Sequence, residues 1–301
     1  MAKNVFITGA SSGFGLLTTK TLLNKGFTVF ASMRNLTSSN AAKAEEIKAC
    51  ADQSGGKVHL IELDVTNDTS VTDAVRMALA LEGGIDVVIN NAGLGVGGLA
   101  ETFTTRQLQK LFDVNVFGVQ RVLREVLPGM RQHGHGLVIN VSSIMGRFVI
   151  PFSGPYTATK YALEGLTETY RYELSNTGVD VAIVEPGGFM TGFAQRMGYA
   201  EDQERAEAYG AINAMGEQMW GGFMETLKNT PEIDPQLVAD AILNLINTKE
   251  GERPLRTIVD PMTGGGIPQQ VNQLSDTLQK NFFEHAGIGE LLKFKSKNVG
   301  V

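Results

Sequence analysis

The chain of 301 residues has one cysteine, one tryptophan and no long apolar run, and each shortage excludes a class of protein. Cys50 cannot form an internal disulfide, so we expect a reducing compartment, the cytoplasm. A catalytic thiol needs an electropositive site and a partner base, so we interpret Cys50 as a thiol that packs on a helix. No signal peptide opens the chain and no apolar run reaches the ~18 residues that cross a bilayer, so no membrane association is expected.

The chain also lacks an excess of positive charge. It has 26 Lys and Arg against 32 Asp and Glu, a net charge of -6, so a nucleic acid partner is not expected. Hydrophobic residues make up 43% and charged residues 19%, which is typical of a packed globular protein. Because no shift in composition marks a boundary, residues 1–301 are predicted to form a single domain.

Short β-branched segments alternate with longer segments of helical periodicity up to about residue 190. This alternation, with strands that are apolar throughout, predicts an α/β fold doubly wound around a seven-stranded parallel sheet. The predicted strands are 4–8, 28–33, 57–63, 87–90, 136–141, 179–184 and 257–259. The predicted helices are 13–24, 39–51, 68–81, 105–131, 156–176 and 234–249.

The alternation stops after Pro186, where residues 189–233 carry aromatic and methionine side chains among glycines and acidic residues. We interpret this segment as a helical lid inserted over a substrate site. A subunit contact or a helix pair packed on the core is the alternative. Residues 261–301 form a glycine-rich turn and amphipathic helical sequence, which predicts a helical C-terminal extension.

The first predicted strand runs into a turn with the spacing Gly-x-x-x-Gly-x-Gly. Such glycines let the backbone approach a pyrophosphate, whose charge then lies against the N–H groups and dipole of the next helix. Glycines alone are weak evidence, but their position between a strand and a helix favours a dinucleotide site. The predicted cofactor-binding residues of this turn are Gly9, Ser11, Ser12, Gly13, Phe14 and Gly15.

The residues after the second strand indicate which dinucleotide is bound. An acidic residue often grips the ribose 2'-hydroxyl of NAD at this place, but here Arg34 follows the strand. A guanidinium can pair with a 2'-phosphate, so NADP is predicted, with NAD as the alternative cofactor and a solvated loop arginine as the alternative role. Asp64 and Val65 follow the third strand, where Asp64 either accepts from the adenine amine or caps the turn.

Tyr156 and Lys160 lie four residues apart at the start of a predicted helix, so their side chains share one face. A nearby ammonium stabilises a phenolate, and the tyrosine can then act as a general acid or base. A surface pair on an amphipathic helix is the alternative. Ser143 ends a buried strand thirteen residues before the tyrosine, and Asn115 lies in an otherwise apolar helix, where its amide needs a partner.

These motifs together resemble the short-chain dehydrogenase/reductase family over residues 3–260, and the lid and tail resemble its steroid and retinol dehydrogenase-like members. The resemblance implies a Rossmann fold and an enzyme that interconverts carbonyls and alcohols. The residues that carry it are Thr8 to Gly15, Asn90 to Gly93, Asn115, Ser143, Tyr156, Lys160 and Pro186-Gly187.

The resemblance also implies roles for the catalytic residues. Tyr156 would exchange a proton with the substrate oxygen, Ser143 would position that oxygen, and Lys160 would lower the tyrosine pKa and bind the nicotinamide ribose. Asn115 would hold a water that extends a proton relay from Lys160. The thirteen-residue spacing of the family selects Ser143 over its neighbour Ser142.

Further cofactor contacts are implied on both sides of the dinucleotide. Asn91, Ala92 and Gly93 would line the adenosine side, and Thr191 would meet the nicotinamide amide after the turn Pro186-Gly187. The family often pairs subunits through its long helices, so a homodimer or homotetramer is expected.

The apolar side chains of the lid and of two loops predict a small-molecule substrate: an apolar or aromatic ketone, aldehyde or secondary alcohol, such as a steroid or retinoid. Besides Ser143, the predicted substrate-binding residues are Leu94, Phe148, Phe189, Met190, Phe193 and Trp220. No metal site is predicted, since His133 and His135 have no nearby carboxylate or cysteine.

The sequence thus predicts an NADP-dependent oxidoreductase. A non-catalytic NADP-binding sensor is one alternative, disfavoured because a sensor would not need all four of Asn115, Ser143, Tyr156 and Lys160. An epimerase or dehydratase of a nucleotide sugar is the other, disfavoured by the glycine spacing and the modest C-terminal region.

Overall fold

A computed structural model describes residues 3–296 of the chain. Its strands are β1 Asn4–Thr8, β2 Thr28–Met33, β3 Lys57–Glu62, β4 Val87–Asn90, β5 Val96–Gly97, β6 Gly136–Val141, β7 Val179–Pro186, β8 Gly198–Tyr199 and β9 Arg256–Val259. A seven-stranded parallel sheet has the order β3-β2-β1-β4-β6-β7-β9, and β5 pairs with β8 apart from it. The predicted doubly wound α/β fold with seven parallel strands is therefore confirmed.

Helices cover both faces of the sheet. They are α1 Gly13–Leu23, α2 Ala41–Ser54, α3 Asp68–Glu82, α4 Thr105–Phe112, α5 Gly118–His133, α6 Gly154–Glu173, α7 Gly192–Gln195, α8 Gln203–Ala208, α9 Ala211–Asn229, α10 Gln236–Asn247 and α11 Gly266–His285. Alternate strand residues point to opposite faces. Val5 and Ile7 pack with α1, α2 and α10, whereas Phe6 packs with α3, α5 and α6. Both faces are therefore apolar.

One predicted helix is interrupted. The segment 105–131 contains α4, a π-helical turn over Asp113–Phe117, and α5. A π turn adds one residue to a helical turn, and hydrophobic periodicity over a long helix does not reveal a single extra residue. Gly118 follows the π-helical turn. A Cβ on this residue would lie 2.9 Å from Val65 Cγ2, so glycine lets the start of α5 pack closely against Val65.

The segment 189–233, which we call the insertion, contains α7, β8, α8 and α9 between β7 and α10. Its strand β8 pairs with β5, which lies in the segment that follows β4. The insertion is therefore hydrogen-bonded to that segment. The predicted helical C-terminal region is present as α11. None of the helices within residues 3–296 combines the length and hydropathy of a bilayer-crossing segment.

A buried ionic cluster fixes β7 against its surroundings. Asp180 on β7 is fully buried and forms ion pairs with Arg171 on α6 and with Arg253 before β9, the latter at 2.9 Å. A buried charge is tolerated only when it is paired and hydrogen-bonded. The cluster lies at the start of β7, and the strand ends at the Pro186-Gly187 turn.

Replacing Asp180 with alanine tests this cluster. Asp180→Ala leaves two arginines without their carboxylate, one of them with a side chain only 3% exposed. We expect the free energy of unfolding to fall by about 3–5 kcal/mol. Denaturant titration measures the change. Asp73→Ala is the control, because it breaks the exposed pair with Arg76 and should cost about 1 kcal/mol or less.

Candidate active site

The carboxyl ends of the central strands open into one cavity of about 1000 Å³. In open α/β sheets this edge is where ligands bind. Three predicted site residues, Gly15, Asn115 and Met190, are not on its wall. The predicted residues on its wall are Gly9, Ser11, Ser12, Gly13, Phe14, Arg34, Asp64, Val65, Asn91, Ala92, Gly93, Leu94, Ser143, Phe148, Tyr156, Lys160, Pro186, Gly187, Phe189, Thr191, Phe193 and Trp220.

The glycine-rich turn is held in a conformation that favours glycine. Gly9 and Gly13 have φ values of 71° and 53°. A Cβ on Gly15 would collide with the Gly9 carbonyl oxygen and come within 2.5 Å of Asn91 Nδ2. Gly15 therefore lets the start of α1 approach the end of β1. Gly15 thus allows the close packing of the turn and does not itself line the cavity.

The donors at this turn fit a pyrophosphate. Ser12 precedes α1, but its side chain does not cap the helix, and the first turn of α1 contains no acidic residue. The N–H groups and dipole of a helix start attract an anion. The turn thus offers positive potential and backbone donors at the cavity wall, which is the chemistry that the phosphates of a dinucleotide require.

Asn91 closes the turn from the neighbouring strand. Its Nδ2 donates to the carbonyl oxygens of Thr8 at 2.9 Å and Gly9 at 3.1 Å. The backbone N–H groups of Asn91 and Ala92 both donate to Thr8 Oγ1 at 3.0 Å. The amide of Asn91 is therefore committed to holding the turn, while the residue still lines the predicted adenosine side.

Arg34 lies at the far end of the cavity with an exposed side chain. Its Nη1 is 4.0 Å from Asp64 Oδ2, with 60% of the arginine side chain exposed, so the guanidinium is available to a ligand. Asp64 Oδ1 accepts hydrogen bonds from the Thr66 N–H and hydroxyl. Asp64 therefore caps the turn, which is one of the two roles predicted for it. Lys43, which the sequence analysis missed, adds a second cation to this part of the wall.

Tyr156 and Lys160 meet in the first turns of α6. Lys160 Nζ lies 5.6 Å from the centre of the Tyr156 ring and donates to the Val141 carbonyl oxygen at 2.9 Å. The Ser143 hydroxyl donates to the Pro186 carbonyl oxygen at 3.4 Å, and its interaction with the Tyr156 hydroxyl acts to lower the tyrosine pKa. Ser143 Oγ also accepts from the Met145 N–H at 3.1 Å, which fixes the hydroxyl at the end of β6. The structure thus brings Ser143, Tyr156 and Lys160 together.

Burial sets the protonation of this group. It raises the pKa of Tyr156 above its ordinary value, and the interaction with Ser143 opposes this only in part. Burial lowers the pKa of Lys160 to about 8, and the charge of Glu164 opposes that shift. Lys160 was expected to lower the tyrosine pKa, but in this geometry the effect of burial is larger. Tyr156 therefore keeps its proton at neutral pH.

Asn115 lies behind the wall, in the π-helical turn. Its Oδ1 accepts from the Leu94 N–H at 2.8 Å, and its Nδ2 donates to the Leu94 carbonyl at 2.9 Å. Nδ2 also donates at 3.0 Å to the hydroxyl of Thr159, between the tyrosine and the lysine. The buried amide is therefore satisfied, and it ties the loop after β4 to α6. Its role in a water relay stays a prediction.

Much of the remaining wall is apolar, and a large part of it comes from the insertion. The Phe193 and Tyr156 rings lie 5.9 Å apart, and Trp220 Nε1 donates to the Phe152 carbonyl at 3.1 Å. Met190, predicted as a substrate-binding residue, instead packs against the core and does not line the cavity. Several residues that line the cavity were not predicted from the sequence, namely Arg196, Met197, Phe223, Met262 and Ile267.

The chain is similar to known proteins over most of its length. Residues 3–202 match the family described as short chain dehydrogenase. A curated relative, the 3-ketodihydrosphingosine reductase of Bacteroides thetaiotaomicron, is 34% identical over 281 residues, which cover 92% of this chain and 94% of that protein.

Solved structures show the same fold. A short-chain dehydrogenase from Streptomyces avermitilis is 30% identical with a TM-score of 0.73, covering 96% of this chain and 99% of that one. An alcohol dehydrogenase from Thermococcus sibiricus, solved in complex with 5-hydroxy-NADP, is 25% identical with a TM-score of 0.69. It covers 86% of this chain and 96% of that one.

The close approach at Gly15 gives a test of the turn. Gly15→Ala places a methyl group against the Gly9 carbonyl and the Asn91 amide, so the turn must open. We expect a loss of about 1–3 kcal/mol in stability from overpacking, measured by thermal denaturation. Gly84→Ala is the matched control, because a Cβ there meets nothing within 4 Å, and an equal loss in both variants would contradict the interpretation.

Proposed function

We propose that this chain, which belongs to the short-chain dehydrogenase/reductase family, is an NADP(H)-dependent enzyme that interconverts a carbonyl compound and an alcohol. The match over residues 3–202 and the full-length relatives make it an oxidoreductase of this family. The observation that carries the finer proposal is the placement of Ser143, Tyr156 and Lys160 on the wall that also contains the glycine-rich turn.

A bound nicotinamide supplies or accepts the hydride. The protein handles the proton: Tyr156, which burial keeps protonated, donates from its hydroxyl to the carbonyl oxygen during reduction. Ser143, which lines the same cavity wall, is the second hydroxyl that can hydrogen-bond this oxygen. Lys160, 5.6 Å from the ring centre, stabilises the phenolate that remains after the proton has left. In alcohol oxidation the same groups act in reverse.

The preference for NADP rests on Arg34. A 2'-phosphate needs a cation and no opposing carboxylate, and the exposed guanidinium of Arg34 meets the first requirement. Lys43 lines the same cavity, but it is paired with Glu46 at 2.7 Å. Asp64 turns one carboxylate oxygen toward Thr66, which reduces its opposition. NAD, which lacks this phosphate, remains the alternative cofactor.

The substrate class rests on the apolar wall. Phe193 lies beside the Tyr156 ring, and Trp220 packs edge-on against Phe223, with ring centres 5.6 Å apart. Such walls favour apolar or aromatic ketones, aldehydes and secondary alcohols. The Bacteroides relative is named for a long-chain keto lipid, which favours including such ketones. In this proposal the insertion is the substrate lid, the chain works as one domain, and subunits associate as homodimers or homotetramers.

An assay with purified protein separates the candidate functions. NADPH is mixed with aryl ketones and with 3-ketodihydrosphingosine, and the nicotinamide absorbance is followed. Consumption of NADPH supports the proposal. Binding of NADPH without turnover of any carbonyl compound would favour the sensor, and conversion of a nucleotide sugar without net loss of NADPH would favour the epimerase or dehydratase.

The proton role of Tyr156 is tested by Tyr156→Phe. Removal of the hydroxyl leaves the oxygen of the substrate without its proton donor, so we expect a loss of roughly a hundredfold or more in kcat. Affinity for NADPH, measured by fluorescence titration, should be nearly unchanged. Tyr161→Phe, on the exposed side of the same helix, is the control. Retained turnover in Tyr156→Phe would remove tyrosine from the mechanism.

The phosphate-reading role of Arg34 is tested by Arg34→Asp. The substitution exchanges a cation for a carboxylate, so affinity for NADPH should fall by roughly tenfold or more while that for NADH does not fall. Dissociation constants for both cofactors give the ratio. Arg76→Asp, at an exposed position on α3, is the charge-matched control. An unchanged ratio in Arg34→Asp would show that another group selects the cofactor.

A further inference from the structure

Three successive residues of the glycine-rich turn lie beside the insertion. The rings of Phe14 and Phe189 pack edge to face with centres 5.4 Å apart. A Cβ on Gly13 would lie 3.5 Å from the Thr191 side chain, and Ser12 accepts a hydrogen bond from Arg196 of the insertion. The first residues of the insertion therefore follow the turn where the proposed dinucleotide places its phosphates.

Arg196 differs from the other charged arginine of the insertion. Its Nη2 donates to Ser12 Oγ at 2.7 Å, and no carboxylate pairs with it among the residues whose side chains the structure describes. Arg205, by contrast, pairs with Asp202 at 2.5 Å and with Glu101 at 3.6 Å. A guanidinium bonded to a neutral hydroxyl still lacks a counter-ion.

The backbone around Arg196 leaves room for its guanidinium. The group folds back over Gly192, where an added Cβ would lie 2.9 Å from Nη1. A guanidinium is a planar fork that can bind two phosphate oxygens, and a hydrogen bond to an ionised acceptor is about twice as strong as one to a neutral acceptor. A phosphate at the turn would therefore be a stronger acceptor for Arg196 than the Ser12 hydroxyl.

We propose that Arg196 binds the pyrophosphate of the dinucleotide and thereby fastens the insertion over the cofactor. This inference rests on the proposed function, since it requires that a dinucleotide binds at the turn. It makes Arg196 a cofactor-binding residue that belongs to the substrate lid. Cofactor binding would then precede and favour an ordered substrate wall, because Phe193 and Met197, which flank this arginine, line the apolar end of the cavity.

Three ligands distinguish this role from that of Arg34. NADPH and NADH both contain the pyrophosphate, whereas adenosine 2'-monophosphate carries only the 2'-phosphate. Dissociation constants are measured by calorimetry for the wild type and for Arg196→Ala, Arg196→Lys and Arg205→Ala. We expect Arg196→Ala to weaken NADPH and NADH alike, by roughly tenfold, and to leave adenosine 2'-monophosphate unchanged.

The control variants sharpen this comparison. Arg196→Lys keeps the charge but not the fork, so it should lie between the wild type and Arg196→Ala. Arg205→Ala removes an insertion arginine that already has carboxylate partners, and it should bind all three ligands normally. Equal affinity of wild type and Arg196→Ala for both dinucleotides would overturn the inference.

A second experiment tests whether a bound dinucleotide holds the insertion in place through Arg196. Limited proteolysis of residues 189–233 is compared with and without NADP, at concentrations that saturate each variant. NADP should slow cleavage in the wild type and in Arg205→Ala, and much less in Arg196→Ala. Equal protection in all three would refute the fastening. If the wild type binds no dinucleotide at all, the proposed function fails first and this inference falls with it.

Discussion

The junction between the ends of β1 and β4 is the constraint on which the site depends. Thr8 and Asn91 bind each other's backbone through four hydrogen bonds that include the Gly9 carbonyl and the Ala92 N–H. The Gly9 carbonyl and the Asn91 amide fill the space beside Gly15, so no side chain fits at that position. Two strands that are neighbours in the sheet are thereby joined at the edge where α1 begins, and these bonds set the path of the turn between them.

Much of the fold and of the candidate site could be predicted because the signals are local. Alternating strands and helices predict the sheet, and four residues along one helix bring Tyr156 and Lys160 to one face. Ser143 follows from its place at a strand end. The π-helical turn at Asn115 could not be predicted, since one extra residue does not disturb the hydrophobic pattern of a long helix.

The far wall of the cavity was less predictable for a physical reason. Met190 and Phe193 have the same apolar character, and only the path of the backbone decides which of them faces the core. Met262 and Ile267 reach the cavity from the C-terminal region, at a separation that no sequence period connects to the sheet. For Arg196 the available signal was its position five residues after Thr191, close to the turn.

The cavity is assembled from separately encoded parts. Its chemical groups come from the sheet edge and α6, whereas its apolar lining comes from the insertion and from residues near α11. The lining can therefore differ between two chains while the groups at the sheet edge and on α6 stay the same, so equal polar groups can face quite different apolar walls. For a chain of this architecture, homology is a better guide to the reaction than to the reactant.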